Sequence, residues 1–184
     1  MCKNICSWVK LSDPTYVKYH NEEWGKPLHD DRALFELFSL ETQAAGLSWL
    51  TVLKKRDSYR EAFYSFELDK VVTLTCKDVE NIMKKDVIKY EPKIKAIINN
   101  AKLFKELIYE FGSIDKFFWS FVGGKTIVND VIDYKTSNTS SSISDSLTKE
   151  LKRRGFKFVG TVTIYAFMQA SGMVNDHENG CCYK

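Results

Sequence analysis

Long apolar runs are absent from this sequence of 184 residues. A transmembrane helix needs about 20 consecutive apolar residues, whereas the apolar stretches here are short and are interrupted by Lys, Asp or Gln. The N-terminal residues also lack the apolar run of a secretion signal. We therefore expect a soluble cytoplasmic protein with no membrane partner. In such a reducing compartment, disulfides between the five cysteines are disfavoured.

A strong excess of charge is missing too, because the formal net charge is only +3. A charge of this size does not by itself predict a nucleic-acid partner, since only the distribution of the basic residues would be informative. Hydrophobic residues make up 44% of the chain and aromatic residues 14%, which is ample for a hydrophobic core. The length fits one domain over residues 1–184, and a monomer needs no further assumption.

Strand-like alternation of apolar and polar residues is also scarce. Apolar residues instead recur at helical spacing in residues 34–40, 50–53, 79–83, 94–107 and 117–122. The first two of these segments predict helices that meet near Gly46. The sequence therefore predicts an all-α fold.

Residues 147–170 predict two helices joined by a short connector. The first helix ends at Arg154, residues 155–160 (GFKFVG) form the connector, and the second helix begins at Thr161. We expect Ser144 to cap the first helix. This is a helix-hairpin-helix pattern, which we place at about residues 145–171.

The hairpin connector could hold a phosphate. Gly155 and Gly160 allow a tight turn and close approach of the backbone, and the free N–H groups that open the second helix suit an anion. Basic side chains add positive charge nearby, namely Lys149, Lys152, Arg153, Arg154 and Lys157. Phosphate contacts of this kind give DNA affinity that is independent of sequence. An ordinary helix pair with a solvated basic face would show the same pattern.

Four potential zinc ligands lie at the two ends of the chain. Cys6 and His20 are near the start, whereas His177 and Cys181 form an H-x3-C pair near the end. Two Cys and two His complete a tetrahedral set with no open position, so a bound zinc would be structural. The alternative is that Cys6 is a small buried hydrophobe and that the histidines are ordinary core or surface residues. Cys182 could also replace Cys181, and Cys2 is a weaker substitute for Cys6.

Aromatic residues crowd the first third of the chain and are interleaved with the acidic residues Glu22, Glu23 and Glu41. Most such aromatics belong to a core, but a flat, positively charged base would also need aromatic faces and one carboxylate. Glu41 has apolar neighbours in its predicted helix, so burial would leave it in need of a partner. The aromatic residues concerned are Trp8, Tyr16, Tyr19, Trp24 and Trp49.

Over nearly its whole length the sequence resembles the DNA-3-methyladenine glycosylase I family of helix-hairpin-helix glycosylases. The resemblance rests on long ordered motifs of rare residues. They are residues 13–20 (DPTYVKYH), 23–25 (EWG), 45–49 (AGLSW), 51–56 (TVLKKR), 118–122 (FWSFV), 152–160 (KRRGFKFVG) and 174–177 (VNDH). Residues 90–93 (YEPK) depart from the family, whose members are more basic there.

The resemblance implies an all-α bacterial enzyme of base excision repair that flips 3-methyladenine out of double-stranded DNA and releases it by hydrolysis, without lyase activity. It implies that Glu41 reads the base and is the catalytic residue. Trp49 would stack on the base, and Tyr16, Tyr19 and Trp8 would line the pocket.

The resemblance also assigns roles outside the base pocket. Leu47 would be the wedge that fills the gap left by the flipped nucleotide, and the DNA backbone would lie at Gly155, Lys157, Gly160 and Thr161. One structural zinc per chain would be bound by Cys6, His20, His177 and Cys181. Asp176 is expected to be a structural group beside a zinc ligand.

Two other classes of function compete with this interpretation. A zinc-stapled DNA-binding protein without catalytic activity could use the same hairpin, but it has no need for an acidic, aromatic pocket. A zinc hydrolase is disfavoured because the inferred ligand set leaves no position for water.

Overall fold

A computed structural model of the chain describes residues 4–184. Cys2, the alternative ligand to Cys6, therefore lies outside the described residues. Ten α-helices account for most of the described chain, which confirms the predicted all-α class. They are α1 (Pro14–Glu22), α2 (Asp31–Ala44), α3 (Trp49–Leu53), α4 (Arg56–Ala62), α5 (Leu68–Val71), α6 (Cys76–Ile82), α7 (Glu91–Phe111), α8 (Ile114–Ser120), α9 (Ser142–Arg154) and α10 (Thr161–Ala170).

Short elements complete the fold. Two 3-10 turns span Tyr64–Phe66 and Tyr134–Thr136, and two strands, β1 (Ile127–Val128) and β2 (Val174–Asn175), pair in parallel. In the part of the chain that the structure describes, no helix combines the length and apolarity of a membrane span.

Helix α2 lies at the centre of the fold. Every residue from Leu34 to Gln43 is buried, because α3, α7, α8 and α10 all pack against this helix. A helix that is enclosed on every side has its position fixed by the core rather than by one amphipathic face. Side chains on α2 are therefore held in place by the whole domain core.

Residues 25–28, which follow α1, are hydrogen-bonded to the end of α10. The backbone N–H groups of Gly25 and Leu28 donate to the carbonyls of Gln169 and Ser171, both at 3.0 Å. Gly172 has φ +72°, and a Cβ atom there would lie only 2.2 Å from the carbonyl carbon of Lys26. Only glycine fits this close approach. The contact brings residues 4–25 beside residues 170–184.

The predicted cap of α9 is wrong by one turn. Ser141, not Ser144, is the N-cap, and Ser144 lies three residues into the helix. The two serines form a capping box, in which Ser144 N–H donates to Ser141 Oγ (3.1 Å) and Ser141 N–H donates to Ser144 Oγ (2.8 Å). Both residues have the side chain of a cap, so the sequence alone did not distinguish them.

Candidate active site

A cavity of about 370 Å³ opens between α1, α2, α3 and α10. Its volume is typical of small-ligand sites, which span about 300–1,000 Å³. All five residues that the sequence predicts for the base pocket line this cavity, namely Trp8, Tyr16, Tyr19, Glu41 and Trp49. Neither Leu47 nor the residues predicted to contact the DNA backbone belong to its lining, namely Gly155, Lys157, Gly160 and Thr161.

Glu41 lies at the wall of this cavity, and the residue is only 6% exposed. Burial raises the pKa of Glu41 to about 8, and no hydrogen bond or charge from residues 4–184 acts to lower it. A buried carboxylate without a partner is costly. The cavity therefore favours a ligand that brings a positive charge or hydrogen-bond donors to Glu41.

Aromatic rings form two walls of the cavity. The rings of Tyr19 and Trp49 lie 5.3 Å apart, and Trp8 makes edge contacts with Tyr16 at 5.0 Å and with Trp24 at 4.9 Å. Burial, followed by the nearby Glu41 carboxylate, raises the pKa of Tyr16 and Tyr19, so both phenols stay protonated at neutral pH. Ring faces and a carboxyl group together suit a flat cationic ligand.

Helix α10 supplies a third wall of the cavity that was not predicted from the sequence. Val162, Tyr165, Ala166 and Gln169 line the cavity, and their spacing of three and four residues marks one helical face. Val162 is 58% exposed. The loop residues 134 and 137–139 also line the cavity, and no sequence signal pointed to them.

Asp176 is a second buried carboxylate in the lining, but its environment differs from that of Glu41. It accepts hydrogen bonds from the Tyr165 hydroxyl (2.8 Å), Gln169 Nε2 (2.7 Å) and Asn129 Nδ2 (2.6 Å). These donors satisfy the carboxylate within the protein. Asp176 therefore needs no ligand, whereas Glu41 does.

Leu47 lies in the turn that follows α2 and is 45% exposed. We call residues 45–47 the wedge turn. Gly46 adopts φ +76°, which reverses the chain, and the Ser48 hydroxyl caps α3 by accepting from Thr51 N–H at 3.3 Å. The turn thus presents an apolar side chain to solvent just beyond the helix that carries Glu41.

The hairpin has the predicted form, with α9 ending before Gly155 and α10 beginning at Thr161. Gly160 caps α10 and has no side-chain cap bond, so amide groups at this helix N-terminus are open to an anion. Buried Asn100 fixes the connector, since its Oδ1 accepts from Lys157 N–H (2.9 Å) and its Nδ2 donates to Lys157 O (3.2 Å). This role of Asn100 was not predicted.

The basic residues of the hairpin divide into two groups. Arg154 is paired with Glu110 and Glu150, and Arg153 is paired with Glu150. These two arginines therefore stabilise the helix ends rather than adding free positive charge to the hairpin. The other three basic residues of the hairpin, Lys149, Lys152 and Lys157, are exposed and form no ion pair with residues 4–184.

The four predicted metal ligands form a buried group, with all ligand atoms within 4.8 Å of one another. Cys6 Sγ lies 3.3 Å from His177 Nδ1, and Cys181 Sγ lies 3.4 Å from His177 Nδ1 and 3.6 Å from His20 Nε2. Ligand bonds of about 2.3 Å for sulfur and 2.1 Å for nitrogen make the S–N edge of a tetrahedron about 3.6 Å. The group could therefore hold a metal ion.

Hydrogen bonds outside this group orient the two imidazoles. His20 Nδ1 bonds to Asn21 Oδ1 at 2.7 Å, and His177 Nε2 donates to the Trp24 carbonyl at 3.1 Å. The other nitrogen of each ring is thereby directed at the thiols, as in metal sites generally. Cys182 is exposed and is not part of the group.

Residues 8–184 match the model of a family described as methyladenine glycosylase. The chain belongs to this family. The DNA-3-methyladenine glycosylase of Haemophilus influenzae is 46% identical over 177 residues, which cover 96% of this chain and 95% of that protein. DNA-3-methyladenine glycosylase 1 of Escherichia coli is 47% identical over 178 residues, with the same coverage. The resemblance found in the sequence is confirmed.

Solved structures of the methyladenine glycosylase family share the fold. A crystal structure of 3-methyladenine DNA glycosylase I superposes with a TM-score of 0.94 at 45% identity and covers 98% of this chain and 100% of that one. The Staphylococcus aureus glycosylase, solved to explain 3-methyladenine recognition, has a TM-score of 0.91 at 41% identity, covering 94% and 92%. The match confirms the helical fold over almost the whole chain.

The isolated Glu41 carboxyl predicts an unusual dependence of stability on pH. Its pKa is about 8 in the folded chain, against 4.5 for an ordinary glutamate. The folded state therefore holds this proton more tightly, and its contribution to stability is full below pH ~4.5 and is lost as pH rises to ~8. Glu41→Gln, which cannot ionise, should escape this loss.

We expect Glu41→Gln to be more stable than wild type by a few kcal/mol at pH 8 and equal to it near pH 4.5, since one pKa unit corresponds to about 1.4 kcal/mol. Urea unfolding at both pH values measures the difference. Glu80→Gln, on the exposed face of α6, is the control and should track wild type throughout. If the free energies of unfolding of Glu41→Gln and wild type differ by the same amount at both pH values, Glu41 has the pKa of an ordinary glutamate.

Proposed function

We propose that this chain is a base-excision-repair DNA glycosylase that hydrolyses the N-glycosyl bond of 3-methyladenine in alkylated DNA. The observation that carries the proposal is the unpartnered Glu41 carboxyl in an aromatic cavity of small-ligand size. Family membership and the bacterial relatives support the same activity and a site of action in the bacterial cytoplasm.

The cavity suits a methylated adenine because methylation at N3 gives the nucleotide base a formal positive charge. The Glu41 carboxylate would pair with this charge and accept from the exocyclic amine, while Trp49 stacks on the base and Trp8, Tyr16 and Tyr19 enclose it. Pairing with a flipped base would offset the free-energy cost of burying the Glu41 carboxylate without a partner.

Hydrolysis needs little further chemistry from the protein. The base is already cationic, so it takes the electron pair of the glycosyl bond and leaves as a neutral molecule. Water adds to C1′ of the oxocarbenium-like sugar and releases a proton to solvent. We expect no lyase activity, because no lysine lines the cavity in the described chain and none could form a Schiff base with the sugar.

The DNA partner would be double-stranded and would be held by the hairpin. The amides of Gly160 and Thr161, at the open N-terminus of α10, and the exposed Lys157 suit backbone phosphates. Gly155 allows the close approach of the turn. Leu47 would enter the gap that the flipped base leaves. We further propose that residues 1–184 act as one glycosylase domain and as a monomer.

The metal would be one structural zinc per chain, held by Cys6, His20, His177 and Cys181. Two sulfur and two nitrogen donors at tetrahedral spacing fit zinc, and all four positions are filled by protein. When bound, the ion would join the two ends of the chain, and no step of hydrolysis passes through it.

The first experiment measures free bases released from methylated double-stranded DNA by the full-length protein. We expect 3-methyladenine as the main product, with little 7-methylguanine. Glu41→Ala should lower the single-turnover rate at least 100-fold and change the affinity for undamaged duplex less than threefold. Release of no base by folded wild type that still binds DNA would favour a non-catalytic DNA-binding protein, and equal losses in both readouts would remove Glu41 from its proposed role.

Removal of zinc tests the structural assignment. Wild type should contain one zinc per chain, and Cys6→Ser should lose it together with at least 10 °C of Tm, since metal-binding free energy contributes to folding. Cys76→Ser, which replaces an exposed free thiol, should retain both. A zinc-free protein with an unchanged Tm but no activity would instead indicate a catalytic metal.

A further inference from the structure

Lys93 is a buried cation outside the cavity and outside every role described so far. Its side chain is on α7 and the residue is only 6% exposed. The ammonium group donates to two backbone carbonyls, Gln43 O at 2.7 Å and Ala45 O at 2.6 Å. No carboxylate is paired with it in residues 4–184. A buried ammonium of this kind is retained only where its hydrogen bonds compensate for lost hydration.

Those two carbonyls lie at the C-terminus of α2 and in the wedge turn. The last carbonyls of a helix lack partners within the helix and carry partial negative charge, so a cation there stabilises the end of the helix. Lys93 thereby fixes the point at which α2 stops and Gly46 turns the chain. Leu47, the exposed tip of the turn, is only two residues beyond Ala45.

Gln43 makes a second hydrogen bond to Lys93, in which the side chain of Gln43 donates to the backbone of Lys93. Its side-chain Nε2 donates to Lys93 O at 2.9 Å, and its Oε1 accepts from the Tyr59 hydroxyl at 3.0 Å. Tyr59 in turn accepts from Ile88 N–H at 3.1 Å. Helices α2, α4 and α7 are thus joined by a continuous buried network, which fixes Lys93 relative to the end of α2.

Lys93 also reaches the hairpin. Its ammonium lies 6.0 Å from the ring centroid of Phe158, a connector residue with φ +56°. Ala45 of the wedge turn and residues 156–160 of the hairpin line one shallow recess on the surface. The wedge turn and the hairpin turn are therefore neighbours, and the Lys93 ammonium lies between them.

We propose that Lys93 is a positioning residue that holds the wedge turn in register with the hairpin, so that backbone binding at the hairpin places Leu47 to enter the duplex. The proposal rests on the proposed glycosylase function. Lys93 acts through Leu47 and touches neither the base nor the sugar. Its loss should therefore impair flipping in duplex DNA more than it impairs the base pocket.

Lys93→Met tests this role, because methionine fills the stem of the side chain but leaves both carbonyls without their donor. We expect single-turnover release of 3-methyladenine from duplex DNA to fall tenfold or more. Binding of free 3-methyladenine, followed by tryptophan fluorescence, should stay within threefold of wild type. A merely structural role would weaken both readouts together.

The matched control is Lys95→Met, which removes the same charge from the same helix two residues along. Lys95 is exposed, and its one ion pair within residues 4–184 is with Glu91 at 2.5 Å, so its variant should release base within twofold of wild type. Leu47→Ala should reproduce the duplex defect. Combined with Lys93→Met, it should add less than threefold, since the two residues act on one step.

The possible results distinguish failure of the proposed role of Lys93 from failure of the proposed glycosylase function. A Lys93→Met rate within twofold of wild type, or equal losses in free-base binding and duplex release, would overturn the proposal while the glycosylase function stands. Wild type that releases no base would remove the glycosylase function and this role with it. If Lys93→Met does not fold, Lys93→Gln, whose amide can donate to one carbonyl, should show the same split with a smaller loss, and its absence would overturn the proposal.

Discussion

The Glu41 carboxyl is buried without a partner, and the surrounding helices keep it so. Other buried acids are neutralised by the protein itself, as Asp176 is by three donors and Glu36 by Arg56 and Arg60. Glu41 has no such donor in the described chain, and its pKa rises to about 8. Such a group can be kept only where the backbone cannot move to expose it. Helix α2, enclosed by four other helices, meets that condition.

The segments around His20 and His177 also help to fix the cavity around Glu41. Tyr19, on one wall of the cavity, immediately precedes His20 of the candidate metal site. Asp176, which fixes Tyr165 and Gln169 on the opposite wall, immediately precedes His177 of the same site. Joining His20 to His177 therefore sets the distance between two walls of the pocket. A structural ion at this point would control the shape of the base site without contacting it. Recognition of the base and stability of the fold are thus coupled through neighbouring residues.

Much of this arrangement could be predicted from the sequence, because helical periodicity, the hairpin glycines and the Cys and His set are local or chemically distinctive. The family resemblance joined Glu41 to the aromatic residues around it. What the sequence left hidden depends on tertiary contacts. Three such contacts each join segments more than 40 residues apart: the ion pair of Arg154 with Glu110, the hydrogen bonds of Asn100 to the hairpin connector, and the contact of Lys93 with the wedge turn. The prediction that Ser144 caps α9 was wrong because the actual cap, Ser141, is also a serine, and the side chain alone does not distinguish the cap from the N3 position.

The most direct measurement is the titration of the Glu41 side-chain carboxyl by ¹³C NMR in the free protein, assigned by the resonance that disappears in Glu41→Gln. The structure predicts a midpoint near pH 8, because the carboxyl is buried and unpaired. A midpoint near 4.5 would mean that water or a protein donor already satisfies Glu41. The carboxyl would then have no unmet need for a cationic base, and the account of how this cavity selects its ligand would be contradicted.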